Sequence, residues 1–145
     1  MIVVLWMVFL TACGSLPFYE SQKDLDRSIK FYNNFFEGKL LDRSTMLVHR
    51  DKQEDFMLAA PDFMDRVTFF ESKVVGVHLF KDGAPVPPDP GFLEGGFDEA
   101  EVILRYRLVV SPSNTLKTLV IHQKWILENG QWFVLPDLNA YLNPK

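Results

Sequence analysis

The chain has 145 residues, with 15 Lys and Arg against 19 Asp and Glu, and 48% of it is hydrophobic. That apolar share, with 14% aromatic residues, excludes intrinsic disorder, and a net charge of −4 leaves no basic face for nucleic acid. The length supports one domain with a real core and not two, no internal repeat is visible, and a single cysteine excludes an intrachain disulfide.

The chain opens on an apolar run, Ile2 to Leu10, followed by Leu10-Thr11-Ala12-Cys13-Gly14-Ser15. The run is about half of the roughly 20 residues a membrane-spanning helix needs, so a signal-peptide core fits it better. The tetrapeptide ending in Cys13 resembles a bacterial lipobox, which implies cleavage before Cys13 and lipidation (palmitate among the chains) of its thiol. Several acyl chains give stable anchoring where one does not. No Lys or Arg precedes the run, a departure from the usual charged n-region. The expected organisation is a signal peptide over 1–12, a lipidated tether over 13–21, and a domain over 22–140. Gly14 after Cys13 implies a cell-envelope location, on the periplasmic face of the outer membrane in a cell that has one.

Ser21 is placed to cap a helix from about Gln22 to Glu37. Leu25, Ile29, Tyr32 and Phe36 follow at helical spacing with Phe35 beside them, and Gly38 is expected to stop it at the C′ position. A second, shorter helix is expected from Lys39 to Leu47, burying Leu40, Leu41 and Leu47. Asp51 is expected to cap a third helix, with Phe56 and Met57 inward and Pro61 at its end. Phe63 and Met64 would then pack from the following link.

From Arg66 to Phe80 the apolar period changes to two, with Val67, Phe69, Val75, Val77 and Leu79 alternating and Gly76 marking a bulge. The Pro- and Gly-rich stretch from Lys81 to Asp98 reads as one long surface loop, and its 82–97 portion is the best candidate for partner contact. Beyond it, Val102, Leu104, Tyr106 and Leu108 alternate with Glu101, Ile103, Arg105 and Arg107. A turn at Ser111-Pro112-Ser113-Asn114 leads into a strand from Thr115 to Glu128. With Val110 facing Thr115, Tyr106 pairs with Leu119, Leu104 with Ile121, Val102 with Gln123, and Glu101 with Lys124 as a favourable charge pair. Asn129-Gly130 demands a two-residue type I′ hairpin that sets Leu127 beside Trp132 and Trp125 beside Val134.

Helices first and then an antiparallel meander give an α+β fold, with the helices packed on a curved sheet. That order, the bent strand and the run Trp125-Ile126-Leu127-Glu128-Asn129-Gly130-Gln131-Trp132-Phe133-Val134 resemble the NTF2-like superfamily over roughly 22–138. The resemblance implies a cone-shaped α+β domain with a possible pocket. Some relatives place a tyrosine donor and a general acid or base there.

Tyr32, Tyr106, Gln123 and Trp125 are the candidate pocket-lining residues. The tyrosines are also explained as core residues with one partner each. Gln123 interrupts an otherwise apolar row, so its amide must meet a ligand, ordered water or a helix tyrosine such as Tyr32. Trp125 is expected to anchor the core. No Asp or Glu lies on the apolar face between Val102 and Leu108 or between Leu119 and Leu127, and His122 points to the other face. His49 and His78 have no metal-ligand spacing, and no phosphate loop or nucleophile elbow is present, so no metal or cofactor is expected. The leading expectation is a non-catalytic binding or assembly module, held to the membrane by Cys13 and meeting an envelope protein. The alternative is a pocket that binds or isomerises a small apolar molecule, in the manner of an isomerase or cyclase. An open cavity walled by Tyr32, Tyr106 or Gln123 favours the pocket. Filling by Phe35, Phe36 and Trp125 favours the module.

Overall fold

A computed structural model describes residues 17–87 and 96–144, with side chains from Ser21 onward. The lipobox, Cys13 and part of the 82–97 loop therefore lie outside the described residues. Helix α1 (Pro17–Glu37) comes first, then α2 (Leu41–Ser44) with a 3-10 turn over Thr45–Leu47, then α3 (Arg50–Arg66). Strands β1 (Val67–Lys81), β2 (Ala84–Pro85), β3 (Glu99–Val110), β4 (Lys117–Glu128) and β5 (Gln131–Leu135) follow, and a short α4 (Asn139–Leu142) comes last. The strands form one open antiparallel sheet in the order β2-β1-β3-β4-β5, so the fold is α+β as the element order implied.

The helices differ from the sequence expectation at their ends. Among the described residues α1 is already helical from Pro17, ahead of Ser21, so the end of the stretch read as tether is helical. The stop is a Schellman motif shifted by one residue. Leu40 N bonds Phe35 O at 2.8 Å and Lys39 N bonds Phe36 O at 3.0 Å, which makes Lys39, with φ of 59°, the left-handed C′ residue in place of Gly38. Gly38 still suits its place, since a Cβ on it would meet Asn34 O at 3.0 Å. The second helix is shorter than expected, and Leu40 turns outward while Leu41 is buried.

The N-cap of α3 is His49, whose Nδ1 accepts from Asp51 N at 3.3 Å, so Asp51 sits in the first turn and is not the cap. Pro61 does not end the helix. It removes one intrahelical hydrogen bond, yet α3 runs on to Arg66 because Phe63 beyond it is fully buried and stacks on Phe36 at 4.8 Å. Met57 and Met64, expected inward, are exposed.

The sheet follows the sequence closely. Tyr106 pairs with Leu119, Leu104 with Ile121, Val102 with Gln123, Trp125 with Val134 and Leu127 with Trp132. Asn129 and Gly130 have φ of 51° and 77°, the left-handed pair a type I′ hairpin requires. In β1 the ladder to β3 skips Val75, the bulge beside Gly76, and also Phe70, which the sequence did not signal. Val75 and Val77, read as part of the alternating row, are both exposed. Glu101 and Lys124 stand opposite each other, but their ion pairs run elsewhere: Lys124 to Glu99 at 3.6 Å and Glu101 to His122 at 3.0 Å. The start of the Pro/Gly stretch is not loop but a turn at Asp82-Gly83 and the two residues of β2.

The core lies between α1, α3 and α4 and the inward face of β3, β4 and β5, where Leu25, Tyr32, Phe36, Phe56, Phe63, Val102, Leu104, Tyr106, Trp125 and Trp132 are buried. Phe36 is its hub, within 4.8–6.5 Å of the rings of Tyr32, Phe56, Phe63, Phe69 and Tyr141.

Candidate functional site

The four pocket candidates all point into this core. Tyr32, Tyr106 and Trp125 are 0% exposed and Gln123 is 3% exposed. The register makes this unavoidable, since Tyr106, Gln123 and Trp125 alternate onto the face that α1 covers.

Gln123 finds its partner on α1, but that partner is Asn33 and not Tyr32. Gln123 Nε2 donates to Asn33 Oδ1 at 2.8 Å, and Asn33 Nδ2 donates back to Gln123 Oε1 at 3.4 Å and to Ile29 O at 3.0 Å. The Trp125 indole donates to Gln123 Oε1 at 3.3 Å, and the Tyr106 hydroxyl reaches Asn33 Oδ1 at 3.5 Å. Two buried amides thus satisfy each other head to tail, which meets the requirement placed on Gln123 without a ligand. Tyr32 stands apart: its buried hydroxyl has no hydrogen-bond partner among the described residues, and its ring packs edge-on to Trp125 at 5.8 Å.

Two members of this cluster escaped sequence reading. Tyr141 on α4 is buried against Phe36, Phe63, Phe69 and Tyr106; burial raises its hydroxyl above the ordinary value, with Tyr106 and Gln123 pulling it partly back. The spacing Leu138, Tyr141, Leu142 was the available signal, a helical stripe after Pro136. Glu37, in the last turn of α1, accepts from Ser72 Oγ at 2.7 Å. Burial raises its carboxyl above the ordinary value of 4.5, with the Ser72 and Tyr106 hydroxyls pulling it partly back. It is the carboxylate that inspection of the strands alone could not find.

Burial raises the hydroxyls of Tyr32, Tyr106 and Tyr141 above their ordinary value. All three remain neutral donors at physiological pH. The cluster can hold hydrogen bonds and fix α1 and α4 on the sheet. The described residues hold no group of three or more His, Cys, Asp and Glu that could bind a metal ion.

A second polar link, between His49 and Glu128, was also missed. His49 Nε2 lies 2.8 Å from Glu128 Oε2 while its Nδ1 caps α3, so the ring joins that helix to the β4–β5 hairpin. This hydrogen bond, with the Arg50 charge as a smaller cause, lowers the Glu128 carboxyl below its ordinary value. His122 lies on the outer face, as expected.

Open space lies at the surface. A crevice of about 230 Å³ between β4 and α4 touches Gln123, Ile121, Asp137, Ala140 and Tyr141. Larger grooves, of about 580 and 590 Å³, run along α3 away from the polar cluster. No described helix is long and apolar enough to cross a membrane. Comparison with protein-family models, curated proteins and solved structures finds no match for this chain.

Proposed function

We propose that this chain is a lipid-anchored protein of the cell envelope whose domain, an NTF2-like cone, serves as a non-catalytic binding or assembly module. The reading assigns 1–12 to a signal peptide and Cys13 to the anchor, with the periplasmic face of the outer membrane as its place in a cell that has one. The sole cysteine behind an apolar run supports the anchor, and helices preceding a sheet with one apolar face support the cone.

The observation that carries the module reading is the self-paired interior. Asn33, Gln123, Tyr106 and Trp125 spend their hydrogen bonds on one another, and Phe36, Phe63, Phe69 and Tyr141 fill the space a substrate would need. Phe35 is not part of that filling and stays half-exposed. Recognition then falls to the outer surface. Metabolic labelling with an alkyne analogue of palmitate should mark the parent chain and leave Cys13→Ala unlabelled and unprocessed. Label retained by Cys13→Ala overturns the anchor.

The crevice beside Gln123 and Tyr141 favours one second reading, a site for a small apolar molecule with a single polar group. Ala140→Phe would fill it, so a ligand whose thermal stabilisation vanishes in that variant would establish the alternative.

A further inference from the structure

The two edges of the sheet are treated differently. On β5, Val48 pairs with Val134 and His49 N bonds Val134 O at 2.9 Å, so chain from between the helices covers that edge. On β1, β2 takes up only Phe80 and Lys81, and among the described residues the edge from Val67 to His78 has no neighbour. A long free edge with apolar side chains is a template for another strand. Phe70, Val74, Val75 and Val77 are 66%, 45%, 49% and 41% exposed on it.

Its charges are also incomplete. On the outward face Glu71 stands opposite Arg107 and is paired with it at 3.5 Å. Two residues on, Lys73 stands opposite Arg105, both exposed, with no acidic partner in the described residues. Like charges directly across a sheet are destabilising. The strand's own sequence supplies the remedy. An antiparallel copy centred on Ser72 sets Glu71 against Lys73, Phe70 against Val74, Phe69 against Val75 and Val67 against Val77. Across the joined sheets Arg107, Glu71 and Lys73 of the second copy then alternate in sign, and Lys73 gains the acidic neighbour it lacks within its own copy.

We propose that β1 is a self-association edge, along which two copies of this chain pair antiparallel about a two-fold axis at Ser72. The bulges at Phe70 and Val75, devices that blunt an edge, flank the centre and leave Glu71 to Val74 in regular register. β2 closes the edge just beyond the outermost pair. An isologous contact of this kind stops at two copies and does not propagate. The inference stands on β1 alone and not on the anchor or the fold family.

Sedimentation velocity on the purified full chain carrying Cys13→Ser, which removes both lipid and any disulfide, should show a reversible dimer. Lys73→Glu turns two symmetric opposite-charge pairs into like-charge pairs and should weaken it about tenfold. Glu71→Lys with Lys73→Glu restores complementarity, moves the intrachain pair from Arg107 to Arg105, and should recover the parent affinity. In the same background Ser72→Cys should cross-link to itself on oxidation, whereas Val77→Cys, which faces Val67, should not. A monomeric parent overturns the proposal and leaves the edge to a strand of another protein. If that monomer binds vesicles of anionic phospholipid through Lys73, the cation pair serves a membrane instead. A dimer indifferent to both charge variants, or equal cross-linking at positions 72 and 77, also overturns it.

Discussion

Replacing Gln123 by leucine removes the centre of the buried amide pair and isolates two groups. The Trp125 N–H loses its acceptor, and Asn33 Oδ1 keeps only the long bond from Tyr106. At about 1–3 kcal/mol per stranded buried group, the loss is about 4 kcal/mol. Burying leucine returns about 2 kcal/mol of that, so the variant should be about 2 kcal/mol less stable than the parent. Urea unfolding followed by tryptophan fluorescence measures it, with the midpoint falling and the slope unchanged. The double variant Asn33→Leu with Gln123→Leu removes both amides together. It should be less damaging than the two single losses summed, by about 0.5–3 kcal/mol of coupling. A Gln123→Leu protein as stable as the parent, or losses that simply add, would refute the claim that the amides satisfy each other.

Tyr32→Phe should be neutral or stabilising by about 1 kcal/mol in the same assay, because it deletes a buried hydroxyl without a partner among the described residues. A clear loss would reveal a partner for that oxygen. The raised carboxyl of Glu37 makes the fold bind its proton more tightly than the unfolded chain does, so its burial costs stability above its folded pKa and that cost fades as pH falls through it towards 4.5. Glu37→Gln should therefore gain stability at pH 7 and lose that advantage in acid; a constant difference across pH would contradict the assignment. The depressed Glu128 acts oppositely: its contribution is present above 4.5 and is lost as pH falls through its lowered folded pKa, and Glu128→Gln should remove this acid-dependent loss. Gly130→Ala should cost about 1–2 kcal/mol because φ there is 77°, while Gly76→Ala should be tolerated, since its Cβ meets Ile103 Cδ1 only at 3.6 Å.

The sheet was legible because its period of two leaves one register that buries Tyr106, Trp125 and Trp132 together, and Asn129-Gly130 fixes the hairpin. Helix ends were less so. Pro61 argues locally for a stop, but the stacking of Phe63 on Phe36 holds α3 together across it, and a lysine can take the left-handed position that a glycine favours. The polar cluster was half visible. A lone glutamine in an apolar row announces that it needs a partner, yet the partner's identity depends on the rotation of α1. Asn33 lies beside Tyr32 in sequence and four residues on from Ile29, within a stripe one position wider than the apolar pattern suggested. Glu37, Tyr141 and the His49–Glu128 link join elements distant in sequence, and no local pattern encodes such contacts.

The helix-covered interior is full, and Asn33, Gln123, Tyr106 and Trp125 are paired with one another inside it. The Trp125 indole N–H and the Gln123 side-chain amide report on it directly, and both give resolvable nuclear magnetic resonance signals in labelled protein. Titration with a panel of small apolar molecules should leave both resonances in place, and their exchange with solvent hydrogen should be slow. A saturable shift of the Trp125 and Gln123 signals with any of these molecules would contradict the account and place a binding pocket inside the domain.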